Sequence, residues 1–493
     1  MKPYQKLLAL FAAFIALRLA FILTFPPFTD ESLYVRWGQL MVNRPELMWA
    51  SISYLKRQPL GFWLFGSGAI LFHNPLLGGR LIVLLANIPT LFITYFVTKR
   101  FTSEKTAFTA ALILTLSPLF ILIQSLILMD GLLIAIGAAI IWIFMMDWGE
   151  KAPYYVVSTG ILLGIALWIK TTALFFVFLS VTGLLIKAKQ EHHKPLITLA
   201  LLGTLIGLPL LLLTPLGLRS DVGSVLSEPE SFTFSMAELT HNPVGLWSKN
   251  IFLTLYSMTL YVHPLVFIAL PAATALFRRK TSMFLLSWFL VPAGATTLLG
   301  KNFQIRYFAF GVIALLPFVA YGIDRALEKT RHVWVRYACW TILTLYSLFF
   351  IFRPVLFFSL FPEYSGERDY ALSWPSGYGI PELVRWIDTH APADGPLLVA
   401  VADSPGNPSD YLMAYYYFKP NVQIAFATLT SITEFQKLQP IANSRALYLA
   451  TRSTLIPTGI QPYLIPIRLF PKPNSKETVG IYRVTFSKII RPL

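Results

Sequence analysis

Through the first 353 of 493 positions, apolar runs of roughly fifteen to twenty-five residues alternate with short polar breaks; past that point the pattern shortens. A helix rises 1.5 Å per residue and a bilayer core is about 30 Å thick, so a run of about 20 apolar residues predicts a crossing helix. Eleven such crossings are predicted, over residues 7–25, 81–97, 107–123, 132–146, 154–169, 173–186, 196–215, 251–277, 283–299, 308–323 and 334–352. The apolar piece 60–72 has 13 residues, is glycine-rich and ends in HNP. That length suits a helix lying in the membrane interface better than one crossing it.

Charge then fixes an orientation. Up to Arg353 there are 28 Lys/Arg against 14 Asp/Glu, and beyond it 12 against 10, so the basicity belongs to the membrane half. Short cytoplasmic loops collect Lys and Arg. With Lys2 and Lys6 placed inside, the clusters Lys99/Arg100/Lys105, KAKQEHHK (187–194), FRRK (277–280) and DRALEKTRHVWVR (324–336) all fall inside as well. The odd number of crossings places the tail outside. The first span is expected to be retained, because FPPFTDE offers no small-residue cleavage site.

Residues 354–493 read as a separate extracytoplasmic α/β domain. IPELVRWIDTH is amphipathic at helical spacing, LLVAVAD and ALYLAT read as buried strands, and YLMAYYYF as helix. DSPGNPSDY (403–411) reads as a solvated turn rather than a nucleotide loop, and His390 and Asp403 as structural. The fold class is thus a polytopic α-helical membrane protein with a small C-terminal α/β domain. Residues 1–353 form the membrane domain, with 26–80 as its first outer loop.

Composition closes off several classes. With 56% hydrophobic residues, 13% charged and a mean hydropathy of +0.63, the chain does not suit a soluble protein. Its single cysteine, Cys339, excludes an intrachain disulfide. The net charge of +16 comes without a basic aromatic platform, so nucleic acid is not an expected partner. A multi-pass inner (plasma) membrane protein is expected.

Candidate chemistry sits at the outer ends of the spans. Asp30 and Glu31 follow the first span, Lys56 and Arg57 come 25 residues on, and Asp130 stands at the mouth of the 132–146 span. Lys170, Lys301 and Arg306 are outward cations. Ionisable groups at a membrane boundary mark a site by default, against the plainer readings of a helix cap for Asp130 and snorkelling for the cations. Carboxylates and cations together suit attack on a sugar carried by a lipid phosphate. A carboxylate takes the acceptor's proton, and cations stabilise the departing phosphate. The polar loop 219–250 is long enough to be an ordered lid. His192 and His193 belong to a solvated basic loop, and His241 and His263 have no partner at ligand spacing. A flippase or a non-catalytic assembly protein would share the spans, but no internal repeat is visible.

The DExxY of residues 30–34, KRQPLGFWL at 56–64 and the MDG acid at Asp130 resemble the GT-C class of membrane glycosyltransferases. The likeness, over residues 1–190, is to the protein O-mannosyltransferase and aminoarabinose lipid A transferase group, whose donors are polyprenyl-phosphate sugars. It implies Asp30 as catalytic base with Glu31 beside it, and Asp130 orienting the acceptor. It also implies a cation on the donor phosphate: where the family has Lys-Pro-Pro this chain has Lys56-Arg57-Gln58-Pro59, so either Lys56 or Arg57 takes that part. RYF at Arg306 resembles a late outer loop of the family. The acceptor is a protein, lipid or glycan. A divalent metal on Asp30, Glu31 and Asp130 is possible chemistry, as in oligosaccharyl transferases, but no obligate metal is expected.

Overall fold

The protein is described from a computed structural model, which covers residues 2–223, 225, 232–264, 267, 271–272, 280–329, 333–392, 395–473 and 475–486. Among the described residues, eight helical stretches are long and apolar enough to cross a membrane: Pro3–Thr24, Pro75–Phe101, Gly149–Ile169, Thr171–Gln190, Pro195–Gly217, Ser282–Leu299, Ile305–Lys329 and Trp334–Phe352. Each coincides with a predicted span. The other three differ. The run 107–123 is broken into α6 (Glu104–Leu116) and α7 (Pro118–Ile123). The run 132–146 is α8 (Met129–Met145), of 17 residues. The run 251–277 contains the end of helix Pro243–Val262, and its second half lies largely outside the described residues. The interfacial candidate is a helix over Leu60–Phe72, as expected.

The α6/α7 break has a sequence cause. Pro118 has no N–H for the Leu114 carbonyl, so the helical ladder cannot continue. Arg18, fully buried on α1 (Pro3–Thr24), fills the gap: Nη2 donates to Leu114 O at 3.1 Å and Nη1 to Thr115 O at 3.3 Å. Its Nε and Nη2 also reach Gln124 Oε1 at 3.0 and 2.7 Å. The charge that interrupts the first span is therefore spent on backbone repair.

Arg100 pairs with Asp147, Lys105 with Glu328 at 3.0 Å, and Glu191 accepts the Trp148 and Gly149 amides, which gathers these described loops at one end; of the segment FRRK, residues 277–279 lie outside the described residues. The loop that follows α1, with Asp30 and Glu31, lies at the other.

That loop is folded. It contains α2 (Thr29–Asn43), α3 (Ala50–Leu55) and α4 (Leu60–Phe72). Helices α2 and α4 cross at backbone distance through two glycines: a Cβ on Gly66 would stand 2.2 Å from Gly38 O, and one on Gly38 2.4 Å from Phe62 O. Helix α5 (Pro75–Phe101) follows, then α6 to α8, α9 (Ala152–Ile169), α10 (Leu174–Gln190) and α11 (Pro195–Gly217).

The tail forms a five-stranded sheet, β1 (Leu397–Ala402), β2 (Val422–Ala427), β3 (Leu447–Arg452), β4 (Leu464–Pro471) and β5 (Thr478–Val484), in the order β2-β1-β3-β5-β4. Strand β1 runs parallel to β2 and β3, while β5 is antiparallel to β3 and β4. The expected helices are present over Ile380–His390 and Ser409–Tyr415. One expectation fails: the turn 403–411 is not solvated along its length, because Gly406–Asp410 are buried against α2.

The glycine crossing yields a prediction. Gly66→Ala places a methyl against backbone that cannot retreat, a cost of about 1–3 kcal/mol. Its melting temperature in detergent should fall, whereas Gly203→Ala, with open space around the added Cβ, should leave it unchanged.

Candidate active site

Successive residues on a helix point about 100° apart, so Asp30 and Glu31 of α2 cannot share a face. Asp30 turns into a cavity of about 320 Å³ at the non-basic end of the helices. Tyr34, one turn on, lines it too, with Arg57, Gln58, Lys170, Thr171, Arg306 and Tyr307. Met129, Ile169, Phe175, Ala295 and Leu299 give it an apolar side. Four of the residues singled out in the sequence thus converge from segments far apart in the chain: Asp30, Arg57, Lys170 and Arg306.

Their contacts pair them. Arg306 Nη1 donates to Asp30 Oδ2 at 2.8 Å. Lys170 Nζ donates to Asp130 Oδ1 at 2.7 Å, and Asp130 itself is buried, behind the lysine rather than lining the cavity. Arg57 Nη1 donates to the Tyr34 hydroxyl at 2.9 Å. Burial opposes ionisation of Asp30, but Arg306, then Arg57 and Lys170, outweigh it and hold the carboxyl below its usual range.

Glu31 points the other way and is fully buried. Both its oxygens are engaged by Arg80, at 2.8 Å from Nε and 2.7 Å from Nη2, and they also accept the Phe28 and Ile127 amides at 2.8 and 2.9 Å. Arg80 spends its remaining donors on the carbonyls of Ile22, Phe25 and Pro26 at 2.7, 2.8 and 3.0 Å. Lys56, in the left-handed conformation at the end of α3, is exposed outside the cavity. Lys301 pairs outside it with Glu238 at 2.7 Å. The geometry thus favours Arg57 over Lys56 for a ligand in the cavity.

Residues not singled out in the sequence complete the site. Arg80 stood in plain view as a charge at the head of a span, which is a usable signal. Tyr34 and Tyr307 stood in the DExxY and RYF segments without a role of their own, and Thr171 carried no signal, since threonines are ordinary at helix ends. The loop 219–250 does reach the cavity. Its described part places Phe232 and Thr233 in the wall, with Phe234 N donating to Leu299 O and Lys301 N to Phe232 O, both at 2.8 Å; residues 226–231 lie outside the described set.

Behind Arg306, Glu367 is fully buried in the connector after the last span. It accepts Ile305 N–H and Tyr261 O–H, both at 2.7 Å, so it fixes the turn that carries Arg306.

Among the described residues no three His, Cys, Asp or Glu side chains converge. Asp30, Glu31 and Asp130 each face a different cation, so this donor set does not fit a divalent ion.

Residues 56–213 match the family model described as dolichyl-phosphate-mannose-protein mannosyltransferase. A sequence comparison with curated proteins finds no match. The structure resembles ArnT from Cupriavidus metallidurans bound to undecaprenyl phosphate at a TM-score of 0.56 and 12% identity, over 95% of this chain and 97% of that one. The apo form of that protein gives 0.57 and 13%, over 96% and 97%. The chain shares the ArnT fold. The Archaeoglobus fulgidus oligosaccharyltransferase tethered with an acceptor peptide matches at 0.50 and 13%, over 98% of this chain and 76% of that one. The likeness in fold therefore extends over nearly the whole chain, tail included.

Burial pushes Glu367 up to about 7. A folded-state value above the unfolded one adds stability that is complete below about pH 4.5 and is lost as the pH rises through 7. The melting temperature in detergent should fall over that window, and Glu367→Gln should flatten the fall.

Proposed function

We propose that the protein is a glycosyltransferase that moves one sugar from a polyprenyl phosphate to an acceptor at the extracytoplasmic face of the cell membrane. The observation that carries this reading is the convergence of one ionised carboxylate with three cations, Arg57, Lys170 and Arg306, around a half-apolar cavity at the end of the bundle away from the basic loops. Cations in that number suit a phosphate, and the apolar side suits the first prenyl units. The undecaprenyl phosphate bound by the structurally similar ArnT supports the same donor class.

In this mechanism Arg57, Arg306 and Lys170 bind the donor phosphate. The acceptor's hydroxyl or amine attacks the anomeric carbon while Asp30 accepts its proton. The bond between that carbon and the phosphate oxygen breaks, and its electron pair leaves with the lipid phosphate, whose charge the three cations stabilise. Donor binding also alters the base. In the free site Arg306 holds Asp30 at low basicity; a phosphate beside Arg306 screens that charge and raises it. Asp130 holds Lys170 in place, and Glu31 holds α2 through Arg80, so both act through other residues.

The test is release of sugar from polyprenyl-phosphate mannose, glucose and aminoarabinose by purified protein. Asp30→Asn should reduce turnover by about 100-fold or more, the scale of a general base, with donor binding retained. Arg57→Ala should raise the donor KM at least tenfold and Lys56→Ala should not. Undiminished turnover in Asp30→Asn would remove that residue from the mechanism.

A further inference from the structure

The faces of α2 can be separated by their spacing. Asp30 and Tyr34 face the cavity; Ser32 and Arg36, two positions on and so about 200° around the helix, face the C-terminal domain. The loop that enters the helix Ser409–Tyr415 meets them there. Ser32 Oγ donates to Asn407 Oδ1 at 2.7 Å, and Asn407 Nδ2 donates to Pro27 O at 3.0 Å. Arg36 pairs with Asp410, which is fully buried and also accepts the Gly406 amide. The arginine further packs over Phe426 of β2, 5.4 Å from its ring centre. One residue before Asp30, the Thr29 amide and hydroxyl both donate to Pro375 O, at 3.0 and 2.8 Å.

None of these side chains lines the cavity, yet they hold the helical turn that carries Asp30 from behind. A fully buried carboxylate paired across a domain boundary is costly unless that contact is kept, so the arrangement is a fixed joint between the sheet domain and the first outer helix.

We propose that Asn407 and Asp410 are positioning residues: the C-terminal domain is a clamp on the rear of α2 that sets where the Asp30 carboxylate stands relative to Arg306 and the donor phosphate. The proposal rests on the glycosyl-transfer reading of the cavity for its catalytic consequence, and on geometry alone for the clamp. A displacement of about 1 Å at a reacting group is worth as much as 10²-fold in rate.

The test uses full-length protein in nanodiscs with Asn407→Ala and, separately, Asp410→Asn, and reads three quantities. Amide exchange over residues 30–36 should accelerate in both variants. The kcat should fall about 10- to 100-fold with donor binding within twofold of wild type. The acid limb of the kcat/KM profile, which reports the free enzyme, should move to higher pH. Asp30 faces the cations Arg306, Arg57 and Lys170, with Tyr34, Tyr307, Tyr370, Asp130 and Asp369 around them; a turn that drifts from Arg306 loses the largest of the attractions that keep the carboxyl ionised. A protein merely destabilised at a distant joint would lose melting temperature and active fraction but keep its pH profile. Unchanged exchange over 30–36, or an unchanged acid limb in both variants, would overturn the clamp. Faster exchange in a protein whose wild type turns over no polyprenyl-phosphate sugar would sink the proposed function and leave the clamp standing.

Discussion

The site depends on one buried ion pair that never touches the cavity. Arg80, at the head of α5, has five N–H donors, and each is used: two on Glu31 and three on the carbonyls that close the end of α1 and the turn after it. Those carbonyls have no helical partner because α1 stops at Thr24 before two prolines. A guanidinium is the one side chain that satisfies so many acceptors at once, and Glu31 neutralises it. Removing either partner alone would strand a buried charge at a cost of about 3–5 kcal/mol. With the pair in place, α1, α2 and α5 have one relative arrangement, and Asp30 inherits its position from its neighbour.

The same economy recurs across the molecule. Arg18 caps carbonyls freed by Pro118, Lys170 is held by Asp130, and the Arg306 turn is held by Glu367. In each case one charged or polar group is spent to hold backbone or a cation in place. Among the described residues only Asp30, Arg57, Lys170 and Arg306 then present charge to the cavity. Under the proposed function, the donor phosphate completes the charge balance of this excess of cations.

The tail takes part through α2. Its helix-entry loop, polar and rich in Pro and Gly, has the composition of a solvated turn, yet Asn407 and Asp410 are buried because Ser32 and Arg36 offer complementary partners 375 and 374 residues away in the chain. Local composition reports what a segment can tolerate, not what will cover it. Strands β2, β4 and β5 escaped notice for a related reason. Leu464–Pro471 carries two prolines, which an edge strand accepts, and Val422–Ala427 is largely open on the other edge.

Sequence by itself determined the membrane class and most of the spans, and it singled out the charged residues Asp30, Arg57, Lys170 and Arg306 that line the cavity. These follow from hydrophobic length and from charge, which act locally and leave their mark on consecutive residues. Tertiary structure decided what each member of a candidate pair faces: Asp30 lines the cavity while Glu31 is buried on Arg80, and Arg57 lines it while Lys56 is exposed outside. Adjacent residues on a helix or turn have the same composition signal but diverge by about 100°, so the choice between them rests on what the rest of the chain, from Arg80 to Asp410, brings to each side.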